Sequence, residues 1–158
     1  ERVYYEKFLE AYEKSEKSSQ MLLAPIIKEV PAVIAAEPEG IVTELSRFGF
    51  ETEVFGKKSF IIKAVPAFMT HEEAMEFLET CFDIAERPED FRDRRKLDRI
   101  IMDSCKSAVK GNQKLSIPEM EHLLDDLSKT KNPFSCPHGR PTFVKLTRNG
   151  IEKLFKRV

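Results

Sequence analysis

The segment from Thr70 to Ala85 places the tightest limit on what this chain can become. Ala74, Phe77, Leu78, Cys81, Phe82 and Ala85 recur at intervals of three and four. A helix turns all of them to one side, whereas a strand would divide them between two faces. Thr70 and Glu73 supply the reciprocal bonds of a capping box at the start, and Pro88 is expected to close the element. So wide an apolar stripe has to be covered by another layer of structure. Just upstream, "FETEVFGKKSFIIKAVP" alternates on either side of Gly56-Lys57, as the two arms of a hairpin do.

Other segments fill in around this pair. Arg2 to Lys17 carries Tyr4, Tyr5, Phe8, Leu9, Ala11 and Tyr12 at helical spacing. It opens abruptly on Glu1 with no N-cap or run-in, so an upstream piece of the domain is expected. Gln20 to Val30, interrupted by Pro25, reads as an edge strand, and Glu39 to Phe48 as a helix stopped by Gly49. A long helix is expected from about Phe91 to Lys110, with Leu97, Ile100, Ile101, Cys105, Ala108 and Val109 facing inward. Ser116 and Glu119 box the start of another, whose buried row would be Met120, Leu123, Leu124 and Leu127. "TFVKL" (Thr142–Leu146) reads as a strand and Arg148 to Arg157 as a last helix. The order α, β, α, β, β, α, α, α, β, α contains no regular βαβ repeat and predicts an α+β fold.

With 41% hydrophobic and 34% charged residues among 158, the chain is globular and can bury one real core or two small ones. No apolar run approaches the roughly 18 residues a membrane span needs, and no leader with a cleavage site is recognisable, so an intracellular, cytoplasmic protein is expected. A net charge of −1 argues against wholesale coating of nucleic acid. Charge is uneven, however: from residue 131 onward Lys131, Arg140, Lys145, Arg148, Lys153, Lys156 and Arg157 face the single acidic Glu152. Such an end is either a solvated charged face or a surface that draws phosphates. Three widely spaced cysteines suit reduced thiols or metal ligands better than a disulfide framework.

The chemistry concentrates in "SCPHGRPT" (Ser135–Thr142), a rigid, largely polar loop. Pro137 pushes Cys136 into extended geometry, where residues i and i+2 point the same way. The Cys136 thiol and the His138 imidazole can then converge on one ion, with further ligands from Cys105, Glu1 or elsewhere. Cys81 lies on an apolar helix face and reads as a small hydrophobe; polar neighbours in "DSCKS" set Cys105 apart. His71 and His122 are expected at the surface.

These residues carry a resemblance. "SCPHGRPT" resembles the CPHGRP motif of the C-terminal domain of the MutL family of DNA mismatch-repair proteins, in its endonuclease-bearing form. "SCK" (Ser104–Lys106) is similar to the family's A-C-R motif, and "FKR" (Phe155–Arg157) to F-x-R. The opening "ERVYYE" resembles the tail of D-Q-H-A-x-x-E-x-x-x-x-E, with Glu1 and Glu6 as its glutamates. The motifs stand in the family order along the whole chain. Ser104 and Lys106 depart from the usual Ala and Arg, and the Asp-Gln-His part would precede Glu1. "QMLLAP" (Gln20–Pro25) is similar to the Q-x-x-L-x-P segment by which such domains engage the replication sliding clamp.

The resemblance implies two subdomains: residues 1–19 with 91–158 for dimerisation and nuclease function, and 20–90 as an inserted regulatory lobe. It implies a homodimer that nicks one strand of duplex DNA, works with the sliding clamp (β-clamp) and the mismatch-recognition protein MutS, and associates with the nucleoid. The catalytic set implied is Glu1, Cys136 and His138. Glu1, Cys105, Cys136 and His138 would hold zinc, beside a manganese- or magnesium-type position leaning on Glu1. Lys106, Arg140, Lys145, Arg148, Lys156 and Arg157 would meet the DNA backbone, and Gln20, Leu23 and Pro25 the clamp. The other reading is a non-catalytic, zinc-stabilised dimerisation and clamp-adaptor module.

Overall fold

The structure, a computed structural model, describes residues 1–14, 18–104 and 114–156. Its elements are α1 (Arg2–Lys14), β1 (Ser19–Glu29), α2 (Pro38–Arg47), β2 (Glu51–Phe55), β3 (Ser59–Pro66), α3 (His71–Ile84), α4 (Pro88–Arg92), α5 (Arg94–Ser104), α6 (Ile117–Ser128) and α7 (Arg148–Leu154). The three strands form an antiparallel sheet in the order β1-β3-β2, so the fold is α+β.

The central strand β3 buries Phe60, Ile62 and Ala64, alternate residues of one face. Its hairpin with β2 turns through Gly56, whose φ of 69° lies in the left-handed region that glycine enters without steric cost. On the other side β1 loses register between Met21 and Ile26, while the partner positions on β3 advance only from Ala64 to Ile62. Four residues, Leu22 to Pro25, are thus looped out of the ladder. Pro25 has no N–H to contribute, and the bulge is where its absence costs nothing.

The α3 stripe meets the sheet as its spacing requires. Ala74, Phe77, Leu78, Cys81 and Phe82 are buried, and the capping box between Thr70 and Glu73 is formed. Phe77 is the centre of the core: its ring stacks on Phe8 of α1 at 4.8 Å and on Phe50 at 5.5 Å, with Phe48 edge-on at 5.0 Å. Each phenylalanine so enclosed stabilises the fold by about 1.5–3 kcal/mol. Cys81 is fully buried, and that burial pushes its thiol pKa well up, as befits an inert core residue.

Polar bonds lock α1 onto this core. The Tyr12 hydroxyl donates to Glu44 and to the Phe91 carbonyl, at 3.1 and 3.0 Å. Burial, then the Glu44 charge, lifts its pKa to about 12. Glu44, only 1% exposed, is held by Arg47 at 3.2 Å and Arg92 at 2.8 Å, so a buried charge is paired, as it must be. Beside it α2 and α4 approach so closely that a Cβ on Gly40 would stand 2.4 Å from Cγ of Pro88.

Four sequence expectations need correction. Pro88 does not close α3, which ends at Ile84; it opens α4 at its first position, where a missing N–H is harmless. The helix expected from Phe91 is two helices. Asp93 turns extended between them, and its carboxylate accepts from the N–H groups of Arg95 and Lys96, both at 3.0 Å, to start α5 afresh. Leu97, Ile100 and Ile101 do face inward; Cys105, Ala108 and Val109 lie outside the described residues. Thr142 to Leu146 form no strand: the Thr142 N–H bonds the Phe134 carbonyl at 3.1 Å, but the pairing does not continue into a ladder. Finally, α6 forms with its Ser116–Glu119 box, yet buries nothing: Met120 and Leu124 are 43% and 54% exposed, and Leu123 is exposed as well.

Candidate metal centre

The first turn of α1 and the loop after α6 meet at one end of the domain. The Glu1 carbonyl accepts from the Tyr5 N–H at 2.9 Å, which sets its side chain at the head of the helix. Opposite it, residues 135–141 form a miniature hairpin closed by a bridge between Ser135 and Pro141. The Cys136 N–H donates to the Arg140 carbonyl at 2.7 Å, and the Gly139 N–H to the Cys136 carbonyl at 2.9 Å. Gly139 makes the turn with a φ of 82°, which a side chain would strain. Pro137 stiffens the other limb.

This folding brings three donors together. The Cys136 sulfur, a His138 ring nitrogen and a Glu1 carboxylate oxygen all lie within 4.8 Å of one another, and His138 Nδ1 is 3.5 Å from Glu1 Oε2. Cys136 is 8% exposed, and its sulfur accepts the backbone N–H of Arg140 at 3.3 Å. Around a tetrahedral zinc, ligand atoms stand about 3.3–3.8 Å apart. The His–Glu pair already has that spacing, and a contraction of at most about 1 Å brings in the third. Thiol, imidazole and carboxylate together suit zinc; manganese and magnesium favour all-oxygen surroundings. Cys105, expected as a fourth ligand, lies outside the described residues.

The remaining predicted residues are spread more widely. Arg140, Lys145 and Lys156 are exposed, and Arg148, almost fully exposed, pairs with Glu152 at 2.9 Å. Lys106 and Arg157 lie outside the described residues. On the bulge of β1, Leu23 projects completely into solvent. Gln20 does not: its amide donates to the carbonyls of Met69 and Pro66 and ties β1 to the start of α3. His71 and His122 are at the surface, and no helix among the described residues is long and apolar enough to cross a membrane.

Sequence reasoning missed what holds the loop in place. Glu6 accepts the N–H groups of Lys131 at 2.6 Å and Asn132 at 3.2 Å, and Arg2 donates through Nε to the Ser135 carbonyl at 2.7 Å. The available signal was the Arg2/Glu6 spacing of four, which puts both on one helix face.

An α+β domain with this site and a bare apolar helix beside it belongs to a definable class, for residues 1–115 match the family model described as the MutL C terminal dimerisation domain. The chain is a member of that MutL family. It is 34% identical over 159 residues to the DNA mismatch repair protein MutL of Agathobacter rectalis, 37% over 159 to that of Listeria welshimeri, and 36% over 166 to that of Thermoanaerobacter pseudethanolicus. All of this chain is covered in each case, but only 24%, 26% and 26% of the relative. The chain thus spans about a quarter of the length of the curated relatives it matches.

Proposed function

We propose that this domain is the homodimerising, metal-dependent endonuclease part of a mismatch-repair protein, nicking one strand of duplex DNA. The observation that carries the reading is the convergence of Glu1, Cys136 and His138 from the two ends of the chain. Cys136 and His138, with Glu1 and Cys105, would hold zinc; Glu1 would also serve a neighbouring manganese- or magnesium-type ion. A divalent ion bound there supplies Lewis-acid stabilisation of a phosphoryl oxygen and acidifies a bound water. The chain's own part is to keep the ligands fixed and to seat the backbone: exposed Arg140 stands beside the cluster and can grip a phosphate with two N–H groups. Lys106, Lys145, Arg148, Lys156 and Arg157 would add contacts, giving weak, steeply salt-dependent binding.

A second copy of the chain is the occupant assigned to the bare α6 face, and the sliding clamp to Leu23, with Gln20 and Pro25 holding the segment extended. Residues 20–90 would act as the regulatory lobe, and residues 1–19 with 91–158 as the dimerisation and nuclease unit. Partnership with the mismatch-recognition protein MutS, and residence at the nucleoid, complete the proposal.

The test is manganese-dependent nicking of supercoiled plasmid by the protein carrying this domain. His138→Ala should abolish it and leave the dimer intact; full activity in the variant refutes the assignment. A second reading is favoured by the donor set, which fits zinc better than manganese: a zinc-stabilised dimerisation and clamp-adaptor module without catalysis. Bound zinc with no manganese-dependent nicking by the wild-type protein would establish it.

A further inference from the structure

Glu1 and Glu6 stand five residues apart on one helix, and the structure gives them different neighbours. Glu1 faces Cys136 and His138. Glu6 faces no member of that cluster; its two oxygens take up the two successive N–H groups at which the chain leaves α6 for the loop, those of Lys131 and Asn132. Arg2, one turn back, lies 3.7 Å from Glu6 and donates to the Ser135 carbonyl, the residue just before the cysteine. The Arg2 and Glu6 side chains are only 12% and 17% exposed, while the Lys131 and Asn132 they hold lie at the surface. Asn132 completes the brace by donating from its side chain to the Ser135 hydroxyl at 2.9 Å.

Among the described residues the loop has few other fastenings: Phe134, Arg140 and Phe143 are exposed, and apart from the His138–Glu1 pair the hairpin's remaining bonds are internal to it. Its position relative to Glu1 is therefore set where it is tied to α1. We infer that Glu6, together with Arg2, is a positioning residue of the metal centre: it fixes the loop backbone so that Cys136 and His138 stand opposite Glu1 before any ion arrives. The inference rests on the proposed metal reading of that cluster. It assigns the two glutamates of the first helix separate tasks, one as ligand and one as brace. A carboxylate suits the brace because each of its two oxygens accepts a different N–H; a glutamine would keep one acceptor and turn its own NH2 donor against the other N–H.

The experiment uses the whole 158-residue chain as wild type, Glu6→Gln, Arg2→Ala and the surface control Glu10→Gln. Zinc affinity is measured by competition with a chromophoric chelator, and amide hydrogen exchange is followed through residues 131–140. In Glu6→Gln, loop amides should exchange about tenfold faster or more, and zinc affinity should fall about 10- to 100-fold, as for loss of an outer support of a metal site. Core amides around Phe77 should be unchanged. Arg2→Ala should behave similarly through Ser135, and it carries the test should Glu6→Gln not fold; Glu10→Gln should match wild type. Unchanged loop exchange, zinc affinity equal to wild type, or acceleration spread through the core each overturns the inference. A wild-type chain that binds no zinc overturns the metal reading instead, and loop exchange alone then decides whether Glu6 is a brace.

Discussion

His138 Nδ1 lies 3.5 Å from the Glu1 carboxylate, although the two residues belong to opposite ends of the chain. Neither end could place its donors alone. Glu1 rides on α1, which is anchored through Phe8 and Tyr12 in the main core; His138 rides on a loop that is tied to α1 through Arg2 and Glu6. The cluster therefore inherits its geometry from a rigid helix and a tied loop, the arrangement that preorganised sites require.

The bare row on α6 predicts a dimer that a single charge can split. Leu124→Glu puts a carboxylate into the apolar face formed by Ile117, Met120 and Leu123. The dimer dissociation constant should rise by about 30-fold or more, the scale of a central interface residue. Sedimentation should report monomers whose circular dichroism is that of wild type, because α6 packs little against its own chain. A variant that stays dimeric would show that the second copy sits elsewhere.

Acid should loosen the turn between α3 and α4. Asp90 is nearly buried, which by itself raises its pKa, but the Lys96 ammonium at 2.8 Å and the N–H groups of Glu86 and Arg87 more than offset this and hold it below the usual aspartate value. A depressed folded-state pKa gives stability that is present above the unfolded value, about 3.9, and lost as pH falls through the folded one. Asp90→Asn should be less stable than wild type by about 1–3 kcal/mol in urea at pH 7. The gap should close as both are titrated below about pH 4; a gap that persists at low pH would mean the side chain works by shape, not charge.

The β1 bulge separates folding from docking. Leu23 is fully exposed, so Leu23→Ala should change stability by no more than about 0.5 kcal/mol while clamp binding, followed by surface plasmon resonance, is lost. Gln20→Ala should weaken clamp binding too, but it also removes the bonds to Met69 and Pro66 and should cost about 1 kcal/mol of stability. Equal clamp affinity in Leu23→Ala would remove the docking assignment.

Much of this molecule could be read from the chain because the governing signals are local. Apolar spacing and a capping box define α3, and a glycine between alternating arms defines the β2–β3 hairpin. Cys136 and His138 do come together, but across a turn closed by the Gly139 N–H and the Cys136 carbonyl, where the proline between them suggested an extended segment. Other features depend on partners that periodicity does not name. The α6 row is apolar at helical spacing, which says that something covers it but not whether that cover belongs to the same chain. Thr142 to Leu146 have the composition of a strand, yet form no ladder among the described residues. The break at Asp93 came from a side chain competing for backbone N–H groups inside a good helical pattern. Glu6 stood in the sequence only as the second glutamate of a motif, and the fold shows its oxygens turned to the backbone of Lys131 and Asn132.

The contact between α2 and α4 inverts an ordinary rule of helix design. Alanine in place of a helix glycine normally stabilises, by up to about 1 kcal/mol in a helix interior and less in a first turn such as that of Gly40. At position 40 the new methyl would collide with a rigid proline ring 2.4 Å away, so Gly40→Ala should lower the melting temperature. Propensity and clearance pull against each other there, and hydrogen is the only substituent that satisfies both helices.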